Sequence, residues 1–160
     1  MKSATVRELK QELGIRSYDE LLELCLHLSK FKKENKELLT YLLYEAADES
    51  AYIESVKIEV TQQFKLINTS SYYYIKKSVR KILRLVKKYI RYSKKKETEV
   101  ELMLYFCYQL KEMDPPMENS IALHNIYKRQ VEAIKKAVAT LHEDLQYDYK
   151  LELDELTFEN

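Results

Sequence analysis

His27, His124 and His142 are the first residues to weigh for catalysis or metal binding, and their spacing supports neither. None belongs to an H-x-x-x-H or H-E-x-x-H pair. Ile121 and Ala139 stand where a di-metal helical bundle would need Glu, three residues before His124 and His142. Glu23 precedes His27 by four residues, and a single such pair makes no ligand set. Cys25 and His27 are two apart, about 200° around a helix, so thiol and imidazole would point away from each other. With Gly14 the single glycine, no phosphate loop, dinucleotide fingerprint or nucleophile elbow can be built. The acidic pairs Glu45/Glu49 and Glu97/Glu101 have helical spacing and read as solvated faces. The chain is therefore expected to be non-catalytic, with no cofactor, metal or small-molecule ligand.

What the residue types do offer is segregated charge. The chain carries 27 basic and 26 acidic residues, a net charge of +1. Yet Val60 to Lys96 holds twelve Lys or Arg and no acid, leaving the rest strongly acidic. Within it, SYYYIKKSVRKILRLVKKYIRYS places Ile75, Val79, Ile82, Val86 and Ile90 on one side of a helix and the cations on the other. Lys77, Arg80, Arg84, Lys87, Lys88 and Arg91 form the face, and Lys94, Lys95 and Lys96 extend it. Such a face suits an acidic protein, including a second copy of the chain, by steering and charge pairing. Nucleic acid ranks below this. Arginines at helical spacing could grip phosphates, and Tyr72, Tyr73, Tyr74 and Tyr92 could stack on bases, but the acidic remainder repels a polyanion. A membrane surface is disfavoured because the fold needs the apolar side. The alternative is a purely structural domain, in which Glu45 to Glu59 and Glu143 to Glu159 fold back over the cations; an enzyme whose site the sequence does not display ranks below both.

The elements that must position this face are helical. One Gly and two Pro leave little turn chemistry for hairpins. Thr5-Val6-Arg7-Glu8 and Ser17-Tyr18-Asp19-Glu20 have capping-box spacing, and Gly14 suits a left-handed helix end. Val100 to Leu110 is apolar nearly all round, as a central helix would be. Tyr127, Val131, Ile134, Val138, Leu141 and Leu145 form a heptad expected to run as one final long helix. Tyr41, Tyr44, Tyr105 and Tyr108 sit in apolar stripes and read as core filler. At 160 residues the expectation is one all-α domain. Six or seven helices would pack as an irregular antiparallel bundle, with an αα-superhelix of helix pairs as the alternative. An acidic tail would occupy residues 147–160, as a short strand, a helical turn or a loosely ordered arm. Cys25 and Cys107 read as small buried hydrophobes in a reducing compartment. The charged opening MKSATVRELKQEL and the short apolar runs point to the cytoplasm.

KFKKENKELLTYLL, the Asn68-Thr69-Ser70 before an aromatic run, and KKSVRKILRLVKKYIRYS followed by ETEVELML resemble a group of small all-helical bacterial proteins with no assigned activity. The resemblance covers about residues 17–110. It implies a bacterial cytoplasmic setting and carries over no site residue.

Overall fold

The computed structural model describes residues 1–157. Among them the chain is all α, with eight helices and no strand. They fall into two compact units, 1–44 and 45 onward, where the length alone suggests one domain.

The first unit holds α1 (Val6–Gly14), α2 (Tyr18–Phe31) and α3 (Lys33–Thr40). Both expected capping boxes form: Thr5 and Glu8 satisfy each other's backbone N–H groups, as do Ser17 and Glu20. These contacts hold the Glu8 and Glu20 carboxyls below their ordinary range, chiefly through the backbone N–H groups of Thr5 and Ser17. Gly14 does not serve as a left-handed cap; the helix runs through it and Ile15 ends it with right-handed backbone. The chain breaks at Lys32, which is extended. Asn35 secures that break by donating from Nδ2 to the Leu28 carbonyl at 2.8 Å. Little of this unit is buried. Leu9, Leu13, Leu22, Leu24, Leu26, Leu28 and Phe31 are exposed, and so is Cys25, which corrects its expected burial. α2 packs against α3, yet most of its apolar side chains stay exposed.

The second unit contains α4 (Glu49–Lys65), α5 (Tyr72–Ser93), α6 (Lys96–Lys111), α7 (Ile121–Val138) and α8 (Glu143–Thr157). The expected central helix is α6, which packs against all four others and makes this unit a bundle. Val100, Phe106, Cys107 and Leu110 are fully buried on it. They meet Ile75, Val79 and Val86 of α5, and Leu123 and Ile134 of α7, in one core. Each such side chain contributes roughly 1.5–3 kcal/mol by leaving water. Phe64 of α4 lies against Phe106, with ring centroids 5.8 Å apart. Burial pushes the Cys107 thiol up to about 12, so it stays an inert core group.

Two expectations change at the end of the chain. The heptad does not run as one helix: α7 stops at Val138, and Leu141 lies in the link before α8. Thr140 Oγ1 donates to the Ala137 carbonyl, and Gln146 Nε2 donates to the carbonyls of Ala139 and Leu141. These side chains satisfy the helix end that the heptad would have carried forward. The acidic tail is a helix through Thr157, with Tyr149 and Leu153 buried. The Tyr127 hydroxyl ties it down by donating 2.8 Å to the Leu156 carbonyl. Residues 158–160 of that predicted tail lie outside the described residues.

Candidate functional site

The cationic face is the outer side of α5. Its inner side is fixed by Ile75, Val79, Ile82 and Val86, all essentially inaccessible, so the helix cannot roll to hide its charges. Ser71 opens the helix and Lys94 ends it with a left-handed backbone, φ 59°, donating its N–H to Ile90 O. Lys77, Arg80, Lys81, Arg84, Lys87, Arg91 and Lys94 are all exposed. Among the described residues no carboxylate lies within 4.0 Å of any of them. Lys77 to Lys94 spans roughly 26 Å at ~1.5 Å per residue.

The remaining predicted site residues sit differently. The Lys88 ammonium lies over the ring of Tyr89 at 4.8 Å and that of Tyr92 at 6.0 Å, a cation–π seat on the helix itself. Lys95 pairs with Glu49 at 2.9 Å and Lys96 with Glu99 at 2.7 Å. These two cations therefore serve the α5–α6 junction. Glu49 is the hub there, accepting also from the hydroxyls of Ser93 and Thr98. Among the described residues the acidic segments named as possible covers come within 4.0 Å of none of the seven exposed cations. Glu59 accepts from the Tyr89 hydroxyl at 2.7 Å, and Glu54 binds Lys57. Of the tyrosines flanking the face, Tyr73 and Tyr74 are exposed, Tyr92 is buried, and Tyr72 donates to the Pro116 carbonyl at 2.8 Å.

On another side of α6, a groove of about 630 Å3 runs between α6 and α8, with Lys57 of α4 at its wall. Glu97, Glu101, Tyr105 and Tyr108 of α6 and Glu112 at its C-terminal cap line one side, and Asp148, Tyr149, Glu152 and Glu155 of α8 the other. Tyr108 is exposed and Tyr105 half-buried, so neither is the core filler that the sequence suggests; Tyr44 is exposed too. Lys57 sits 2.9 Å from Glu54 and 3.2 Å from Glu101. Burial alone would lower its ammonium, but the hydrogen bonds it donates to both carboxylates outweigh this and raise it. The Tyr149 hydroxyl lies 3.3 Å from both Glu97 and Glu101. Burial, with those two charges beside it, holds this phenol well above its ordinary range. Partial burial, then the Glu101 charge, raises the Glu152 carboxyl despite Lys57. The groove walls include no Ser, Cys or His among the described residues.

The groove had a signal in the sequence. Residues 97, 101, 105, 108 and 112 follow steps of four, four, three and four, a polar and aromatic stripe on an otherwise apolar helix. Reading Glu97/Glu101 and Tyr105/Tyr108 as separate pairs hides it. Among the described residues no group of three or more His, Cys, Asp or Glu is placed to hold a metal ion. No described helix is long and apolar enough to cross a membrane. No protein-family model, curated protein or solved structure matches the chain.

Proposed function

We propose that this chain is a non-catalytic binding protein of the bacterial cytoplasm that presents the outer face of α5 to an acidic protein surface. The observation that carries this is the row Lys77, Arg80, Arg84, Lys87, Arg91 and Lys94. It is exposed on a helix locked by its apolar side, with no carboxylate within ion-pair distance among the described residues. A solvated cationic strip of this length attracts an anionic surface from a distance and pairs with it on contact. A protein is favoured over nucleic acid because the rest of the chain is acidic and repels a long polyanion. The aliphatic side of α5 is taken up by the core and is not available to insert into a lipid surface.

The test is capture of partners from a bacterial lysate by the immobilised full chain, with and without nuclease and over a salt series. Capture should survive nuclease, weaken with salt and disappear in the Arg80→Glu/Arg84→Glu variant. Capture that nuclease abolishes points to nucleic acid instead. Capture that the double substitution leaves intact overturns the role of α5.

A further inference from the structure

We propose that the surface received by the cationic face of α5 is the acidic groove between α6 and α8 of a second copy of this chain. This partner assignment rests on the function proposed above for α5 and adds the identity of the anionic surface. The first support is charge complementarity. The two cations of the groove are already committed. Lys57 is held between Glu54 and Glu101, while Lys111 reaches the backbone carbonyls of Glu155 and Leu156. Glu97, Glu112, Asp148, Glu152 and Glu155 then have no cation within 4.0 Å among the described residues.

The second support is spacing. Lys77, Arg80, Arg84, Lys87, Arg91 and Lys94 alternate steps of three and four, one or two charges per turn. On α8, Asp148, Glu152 and Glu155 follow the same alternation, so the rows of charge repeat every ~5 Å on both partners. The lengths also correspond: Glu97 to Glu112 covers roughly 22 Å of α6 against roughly 26 Å for the cationic row. Tyr105 and Tyr108 give the groove an aromatic floor for the aliphatic stems and charged heads of Lys and Arg. Partial burial and the neighbouring Glu101 charge raise the Glu152 carboxyl, so a cation entering from outside relieves repulsion that Lys57 alone leaves in place.

The contact must form between copies. α6 packs against both α5 and α8 within one core, and in that fold the α5 row meets no carboxylate of its own chain among the described residues. Because the row and the groove are different patches, the contact is head-to-tail. Each copy offers one donor and one acceptor face.

Sedimentation velocity of the full chain over a concentration series, at low and at high salt, tests this. Wild type should sediment faster as concentration rises at low salt and remain monomeric at high salt. Arg80→Gln/Arg84→Gln/Arg91→Gln and Asp148→Asn/Glu152→Gln/Glu155→Gln should each be monomeric alone, with unchanged helical circular dichroism. Mixed in equal amounts they should form a complex that stops at two, since only one intact face of each kind is present. A wild type that stays monomeric at low salt overturns self-recognition. So does association that survives the α8 substitutions, or a mixture that forms no complex. None of those results touches the lysate capture by α5, which fails separately if Arg80→Glu/Arg84→Glu has no effect on it.

Discussion

Glu49 concentrates three contacts on one carboxylate: the Lys95 ammonium and the hydroxyls of Ser93 and Thr98. Thr98 is 1% exposed, so its hydroxyl has no recourse to solvent if that acceptor is lost. Glu49→Ala should destabilise the fold by about 1–3 kcal/mol, the cost of leaving a buried donor unmade. Urea unfolding monitored by circular dichroism measures this. Glu152 behaves oppositely. Its folded-state pKa is raised, so its protonated form favours the native state. That contribution is complete below the ordinary value of 4.5 and is lost as pH rises through the folded pKa. Glu152→Gln should therefore raise the urea midpoint at neutral pH, and the gain should vanish in acid. Glu8 and Glu20 carry the usual sign. Their folded pKa values are lowered, so the capping boxes contribute above 4.5 and fail as pH falls through the folded values.

At the scale of elements, α6 and α1 mark the two extremes. α6 carries Phe106, Cys107 and Leu110 at 0% exposure, while no residue of α1 is buried. Amide hydrogen exchange should accordingly be slowest in α6 and fast throughout α1, since local opening of α1 exposes almost no new apolar surface. Phe106→Ala should cost about 3–5 kcal/mol, because its cavity lies among packed helices that cannot all close on it. Most helices were legible from capping boxes and apolar period, α5 to within a residue of its start. The misreadings share a physical cause: apolar period marks where a helix has a sticky side, not whether anything covers it or where side chains terminate it. Leu22 and Cys25 have core spacing yet face solvent. Leu141 continues the α7 heptad yet lies beyond the end that Thr140 and Gln146 satisfy. The cationic face was legible because charge needs only helical spacing to declare itself. Of the groove only the stripe on α6 was legible, because the groove itself exists only once α8 lies against α6.

For the whole molecule, the cations of α5 present a cost that folding alone does not explain. Lys77, Lys81, Arg84, Lys87, Lys88 and Arg91 are like-charged neighbours at three- and four-residue spacing, and each such pair disfavours a helix by about 0.2–0.5 kcal/mol. Interspersed acids would remove that repulsion, yet there is none between Val60 and Lys96. At ordinary ionic strength the screening length is about 8–10 Å, comparable to the separations along the row, so salt should relieve it. At protein concentrations too low for self-association, the urea midpoint should therefore rise between low and physiological salt. Arg84→Glu should raise the low-salt midpoint and flatten the salt response, because the new carboxylate neighbours Arg80, Lys81, Lys87 and Lys88 along the helix. The same substitution removes a charge from the proposed binding face, so on that proposal partner capture and stability should move in opposite directions. A variant that folds more firmly while capturing less separates the purpose of the cationic row from the packing beneath it. If stability instead falls with Arg84→Glu and is indifferent to salt, the row is part of what holds the bundle together.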